Sequence, residues 1–233
     1  MTTAPHLSVV IPVLNDAPAL ASVTSELLSW AENTGRSLEV IVVDGGSVDE
    51  PARVLPESVR LITLTRPGRG AQLACGANAA RGNWIWLLHA DSHDLEAPLA
   101  YLFDLTTPGW GRFDVRLADV APAVASKLRV VASFMNWRSR LTGIATGDQG
   151  IFLHRDLLSE IGGLPEQPLM EDIELSRRLK QIGRPFTPQT VLGASGRRWQ
   201  KSGVVRTVLR MWLFRLRYFF GASPEDLVRD YYG

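Results

Sequence analysis

The sequence predicts a single α/β domain built on a mostly parallel sheet flanked by helices, and three observations carry that prediction. Four short apolar runs in the first half are bounded by turn residues and do not alternate in polarity, as strands buried on both faces require. Helical patterns separate these runs, and strand–helix–strand alternation at this spacing builds parallel sheets. The chain has 233 residues, a length suited to one such domain and short for two.

In chain order, residues 7–12 (LSVVIP), Leu38–Asp44 (LEVIVVD), 59–64 (VRLITL) and 84–89 (WIWLLH) read as the buried strands. Between them Ala17–Thr34, a shorter stretch over 49–55, and residues 70–81 read as helices. The second half is less regular: helix over 122–140, a short strand over 151–154, then helices over 156–161, Glu171–Ile182 and 204–220. There is no internal repeat, low-complexity stretch or linker, so the expected organisation is one domain over 1–233. Within it, residues 7–115 form a nucleotide-binding half and 116–220 an acceptor and catalytic half that completes the site.

Composition narrows the class. Hydrophobic residues at 45% and charged residues at 21% describe an ordinary soluble globular protein. The single cysteine, Cys75, excludes an internal disulfide and a thiolate metal cage, and fits a reducing cytoplasm. No cationic region precedes Leu7, and Pro5, Pro12 and Asn15 interrupt the first apolar run, so no signal peptide is expected. No stretch approaches the roughly 18 apolar residues of a membrane span. From Arg197 onward eight basic residues face three acidic ones, although net charge is only +1, which suggests either an anionic partner or a solvated basic face. In the segment 204–220, Arg206, Arg210 and Arg217 fall on one face, with Val208, Leu209, Trp212, Leu216 and Phe219 over much of the rest. Such a helix packs on the core or a second subunit, or docks peripherally on anionic lipid at the inner face of a membrane; Arg215 interrupts its apolar arc.

In open parallel sheets ligands collect beyond the carboxyl ends of the strands. Asn15 and Asp16, Asp44 to Ser47, Arg66 to Gly70, and Asp91 with Ser92 all fall there. Asp44, followed by Gly45 and Gly46, leaves room for a planar ring and a ribose and can accept their hydrogen bonds; the alternative is a turn residue capping the next helix. In RPGRGAQL (66–73) the glycines allow close approach, Arg69 offers a charged fork, and a helix start favours a phosphate. Asp91 leaves a buried strand in HADS (89–92), where a carboxylate can hold a hard divalent cation against a diphosphate. His89 would share its face; it hydrogen-bonds ribose or phosphate, or orients Asp91. Glu171 and Asp172 open a helical pattern, either as dipole-favoured acids or with one carboxylate as general base. Asp148 and Gln149 (in GIATGDQ, 143–149) line the same cleft, and Arg198 with Trp199 form a phosphate clamp and a stacking surface, or a basic surface loop.

Together SVVIPVLN (8–15), VVDGGS (42–47) with Asp49, HAD (89–91), MEDIELSRR (170–178) and RRW (197–199) resemble, in order, the motifs of the family 2 glycosyltransferases of the GT-A, Rossmann-like fold. More narrowly, GRFDVR (111–116) and NWRSRLTGIATGDQ (136–149) resemble a bacterial subgroup associated with radical-SAM and selenium-domain proteins, of arsenosugar type. The resemblance implies nucleoside contacts from Pro12, Leu14, Asp44 and Gly46, and Asn15, Arg69, Gln72, His89, Ala90 and Asp91 join them as the expected donor-binding residues. It implies Mg²⁺ or Mn²⁺ on Asp91, Asp172 as base, and acceptor or phosphate contacts from Asp148, Gln149, Glu171, Arg198 and Trp199. The implied reaction moves a sugar from a nucleoside diphosphate sugar, UDP-sugars being commonest, to a hydroxyl of a small or lipid-linked acceptor with inversion. Two departures stand out: His89 replaces the usual first aspartate, and Ala74 stands where many relatives have asparagine.

Rival readings are a sugar nucleotidyltransferase and a non-catalytic sugar- or lipid-binding module on a degenerate transferase fold. The first normally needs a glycine-rich loop after the first strand, and residues 12–16 (PVLND) lack glycine. The same lack argues against a dinucleotide-dependent dehydrogenase. Nothing in the charge pattern points to nucleic acid.

Overall fold

The computed structural model describes residues 5–232; residues 1–4 and 233, the outermost ends of the expected domain, lie outside the described residues. The elements in order are β1 (Leu7–Val13), α1 (Ala17–Thr34), β2 (Leu38–Asp44), β3 (Arg60–Thr63), α2 (Arg69–Ala79), β4 (Trp84–Leu87), β5 (Ser92–His93), α3 (Glu96–Phe103), β6 (Trp110–Gly111) and β7 (Asp114–Ala118). There follow α4 (Pro122–Thr142), β8 (Phe152–His154), α5 (Asp156–Glu160), α6 (Glu171–Ile182), β9 (Val191–Ser195), α7 (Arg197–Ser202), α8 (Val204–Phe219) and α9 (Pro224–Tyr232). Among the described residues two sheets form: a six-stranded one in the order β3-β2-β1-β4-β8-β6, and a small one in the order β5-β9-β7. The first four strands of the large sheet are mutually parallel, and β8 runs against β4 and β6.

Successive side chains of β1 point to opposite faces, and both faces are covered. Val9 and Ile11 pack with Leu20, Val23 and Leu27 of α1 and with Trp86 and Phe113. Val10 packs on the other side with Ile41, Val43, Leu73, Ala77, Ile85 and Leu179. Two-sided burial is why β1, β2 and β4 read as continuous apolar runs. Edge position explains β3, where Arg60 and Thr63 are exposed and pairing is confined to β2.

The boundaries differ from expectation in a few places. The stretch expected as a helix over 49–55 is one 3₁₀ turn, Pro51–Val54. Strand β4 stops at Leu87, so His89 and Ala90 already belong to the loop at the sheet's end. Helix α4 runs to Thr142, where Gly143 adopts the left-handed cap (φ 67°). Helix α8 buries only part of its apolar face: Phe214 is buried and Val204, Val208 and Met211 pack against the cluster around Leu128 and Met135, while Leu209, Trp212, Leu213, Leu216 and Phe219 are exposed. No helix among the described residues is long and apolar enough to cross a membrane.

Helix α2 meets the sheet at Gly76, where an added Cβ would strike Val10 and come 3.0 Å from Val43 Cγ2. Helix propensity alone favours alanine over glycine by about 1 kcal/mol. The overpacking dominates here, so Gly76→Ala should lower stability by about 1–3 kcal/mol in denaturant unfolding. A raised midpoint would contradict this packing.

Candidate active site

The parallel strands end at one edge, and the polar residues after β1 and β2 lock to one another there. Asp44 is buried, and its Oδ1 accepts from Ser47 N (2.9 Å) and Ser47 Oγ (2.6 Å), so Oδ2 is the oxygen left to meet a ligand's donor. Asn15, in the left-handed region (φ 54°), donates its N–H to Ser47 Oγ (2.9 Å), and its Oδ1 accepts from Val48 N (2.8 Å). Asp49 accepts from Ala17 N (2.8 Å) and so caps α1 across the turn. Leu14 and Gly46 are exposed at this rim, and Pro12 is half-buried beneath it.

Gln72, expected to touch the donor, is a strap instead. Its Nε2 donates to Val13 O (2.8 Å) and Val43 O (2.7 Å), tying the ends of β1 and β2 together. A Cβ on Gly45 would come 3.1 Å from its Oε1, which fits the glycine there.

Deeper in, Arg69 joins three segments. From the first turn of α2 its guanidinium donates to His89 Nε2 and pairs with Glu171 Oε1 (3.2 Å) at the start of α6. It also lines the pocket that holds His89, Glu171 and Asp172. Burial opposes its charge, but Glu171, Asp172, Asp148 and Asp91 outweigh that and raise its pKa. Gly147 lies against this pair: a Cβ there would overlap Arg69 Nη2 and come 2.6 Å from His89 Nε2.

The state of His89 follows. Arginine offers no acceptor, so the nitrogen meeting Arg69 is the unprotonated one and the proton sits on Nδ1. That nitrogen faces Asp148 Oδ1 at 3.3 Å and Asp91 Oδ1 at 3.9 Å. Burial and Arg69 hold the imidazole pKa well below the ordinary histidine value, so the ring is neutral. His89 therefore orients the acids that flank it.

Those acids form the polar floor of the site. Burial first, then Asp148 and Asp16, push the Asp91 carboxyl up to about 6. Burial also raises Asp148 against the pull of Arg69, Arg198 and Arg215. Asp172, at the N-terminus of α6, accepts from Gly147 N (3.0 Å) at Oδ2 and from its neighbour Ile173 N (2.8 Å) at Oδ1, which fixes the carboxylate plane. Glu171 is buried, and burial and Asp172 raise its pKa against Arg69.

Two more expected contacts are structural. Gln149 is fully buried: its Oε1 accepts from Thr146 N (3.1 Å) and its Nε2 reaches Asn136 Oδ1 (3.3 Å). Trp199 packs with Leu128, Ala132 and Met135, so its ring is not a free stacking surface. Arg198 is exposed, near enough to His89 and Asp148 to act on both electrostatically. Ala90 is buried behind the loop.

Two residues given no role from sequence are Asp16, which acts on Asp91 and pairs with Arg197 (3.6 Å), and buried Arg112, which pairs with Asp114. Asp114 also pairs with Arg140, and Asn136 donates to Val115 O (3.1 Å) while accepting from Val115 N (2.9 Å), which fastens α4 to β7. The adjacent Asn15-Asp16 pair at a strand end was the signal available for Asp16.

Asp91 and Asp148 supply hard oxygen donors beside a neutral imidazole that donates toward them, a set suited to Mg²⁺ or Mn²⁺. Among the described residues no three His, Cys, Asp or Glu side chains close a cage on their own. A cation here would need oxygens from the ligand it serves.

Residues 8–102 match the family described as Glycosyl transferase family 2. The chain is 27% identical over 163 residues to an undecaprenyl-phosphate 4-deoxy-4-formamido-L-arabinose transferase of Pseudomonas paraeruginosa, covering 63% of this chain and 45% of that protein. The Klebsiella pneumoniae protein of the same name is 30% identical over 162 residues, with 63% and 47% covered. The chain thus spans about half the length of the curated relatives it matches. A mannosyltransferase from Pyrobaculum calidifontis, solved with GDP-Man and Mn²⁺, superposes with a TM-score of 0.61 at 21% identity, over 96% of this chain and 67% of that one. Glucosyl-3-phosphoglycerate synthase from Mycobacterium tuberculosis, solved with Mn²⁺ and UDP, gives 0.57 at 22% identity, over 82% and 71%. The fold is the GT-A fold of these neighbours, as the sequence predicts.

The hydrogen bonding of His89 is directly observable. Long-range ¹⁵N–¹H spectra should show an unprotonated Nε2 and a protonated Nδ1, unchanged between pH 8 and pH 6. Because its pKa is lowered, the ring stays neutral where an ordinary histidine gains a proton. A titration centred near 6.5 would contradict the Arg69 contact.

Proposed function

We propose that this chain, a glycosyltransferase by its family match and its fold, moves a sugar from a nucleoside diphosphate sugar to an acceptor hydroxyl, with inversion. One observation carries the reading: the Asp172 carboxylate is fixed by two backbone N–H groups beside the Asp91–His89–Asp148 cluster at the strand ends. That arrangement puts a base next to a place suited to a diphosphate. The nucleoside lies at the rim made by Pro12, Leu14, Asn15, Asp44 and Gly46, with Asp44 Oδ2 accepting from the base or the ribose. UDP-sugars are the first donors to test, and GDP-Man in one structural neighbour makes guanosine the second.

Asp91 and Asp148 are the residues that would hold Mg²⁺ or Mn²⁺, and the cation, when bound, would neutralise charge on the leaving diphosphate. Asp172 takes the proton from the acceptor hydroxyl as its oxygen bonds to the anomeric carbon. The bond from that carbon to the diphosphate oxygen breaks, and the nucleoside diphosphate departs with the electron pair. His89 keeps Asp91 and Asp148 in register, and Arg69 holds His89 and Glu171. Arg198, exposed beside the cluster, would add positive charge near the diphosphate position. The likeness of residues 111–116 and 136–149 to a bacterial arsenosugar-type subgroup supplies acceptors for a screen.

Incubation with a panel of nucleoside diphosphate sugars and Mn²⁺ should release nucleoside diphosphate. Asp172→Asn should cut that release by about a hundredfold or more while nucleotide binding persists. Unchanged turnover in the variant would remove Asp172 as base, and pyrophosphate release from a nucleoside triphosphate would favour a nucleotidyltransferase.

A further inference from the structure

Outside the acidic cluster, a cavity of about 380 Å³ opens between α4 and α8. Its walls are apolar: Val131 and Met135 from α4, Trp199 from α7, and Val208 and Met211 from α8. Val130, Phe134 and Trp212 stand exposed at its mouth, and the Phe134 and Trp212 rings lie 5.9 Å apart. The volume suits a segment of a flexible hydrocarbon chain.

Two arginines break this apolar lining, Arg138 and Arg215. Both are coupled electrostatically to the acidic cluster: Asp172 favours the charge on Arg138, and Arg215 favours the charge on Asp148. Arg138 is lowered to about 10 by burial and by Arg215, so the two cations repel each other across a largely apolar space. An anion placed between them would relieve that repulsion.

We propose that the α4–α8 groove is the acceptor site and that the acceptor is an anionic lipid, with its hydrocarbon chain among Val131, Met135, Val208 and Met211 and a phosphate-bearing head group between Arg138 and Arg215. This rests on the glycosyltransferase reading, because the head group then carries its hydroxyl to Asp172. The charge pattern favours this occupant: a neutral chain leaves the repulsion between Arg138 and Arg215 in place, and a free anion leaves the apolar groove unfilled. The surrounding surface fits a molecule drawn from a bilayer. Val130, Phe134, Trp137 and Leu141 of α4 and Leu209, Trp212, Leu213 and Leu216 of α8 are all exposed around the groove. Arg206 and Arg210 are exposed on α8, where anionic headgroups would meet them.

The test titrates dodecyl phosphate below its micelle concentration, inorganic phosphate and dodecanol, each followed by tryptophan fluorescence, into wild type, Arg215→Ala and Val130→Trp. Far-UV circular dichroism checks that both variants fold, and wild-type binding of UDP and GDP with Mn²⁺ is measured in parallel. Dodecyl phosphate should bind about tenfold or more tighter than either fragment, and each variant should weaken it by about tenfold. Inorganic phosphate or dodecanol binding as well as dodecyl phosphate would overturn the proposal, as would undiminished binding in the folded variants. A stable dimer by light scattering that excludes dodecyl phosphate would also overturn it and assign the groove to a second copy of the chain. Loss of nucleotide binding with dodecyl phosphate binding intact would instead strike at the glycosyltransferase reading.

Discussion

The Arg69 guanidinium is the contact on which the site's geometry depends. It reaches from the first turn of α2 to His89 beyond β4 and to Glu171 at the start of α6, so one side chain joins three segments distant in sequence. Its charge is sustained by four carboxylates, and without it Glu171 would sit buried beside Asp172 with no opposing charge. By accepting from Arg69, His89 is left with its proton on Nδ1, which turns the ring toward Asp91 and Asp148. The acidic floor is thereby ordered by a cation, and Gly147 is the residue whose lack of a side chain makes room for it.

A second constraint acts at the strand ends. Gln72 fastens β1 to β2 where ladder bonding stops, and Ser47 fastens the loops that follow. These bonds hold Asp44 in place. Preorganisation of this kind lowers the cost of ordering loops on binding.

Much of this was legible in the sequence because two-sided burial leaves a strong mark. Strands β1, β2 and β4 are continuous apolar runs, and their positions locate the site edge. Strands β5 and β6, two residues each, carry too little pattern to be read, and β7 and β9 are polar or small in part. Helix α3 was missed for another reason: Leu95, Leu99 and Leu102 are buried in the core, but Pro98 in its first turn reads as a breaker. Residue type singled out Asp44, Asp91 and Asp172, which the fold brings to the strand ends and the start of α6. It did not reveal that Gln72, Gln149 and Trp199 are engaged by the protein itself. Their partners are distant in the chain, 59 residues for Gln72 and Val13, and only the fold brings them together. Arg215 shows the reverse. Its interruption of an apolar helix face was visible in the sequence, but its meaning depends on Arg138, which only packing of α8 on α4 brings beside it.

The central claim is that the acidic cluster at the strand ends serves a nucleoside diphosphate together with a cation. Calorimetric titration of UDP, GDP and dTDP, each with and without Mn²⁺, into wild type and Asp91→Ala tests it most directly. The account predicts that one nucleotide binds only with Mn²⁺ and that Asp91→Ala weakens this binding by about tenfold or more. Binding of none of them, or binding indifferent to both Mn²⁺ and Asp91, would contradict it and favour a non-catalytic module on the same fold.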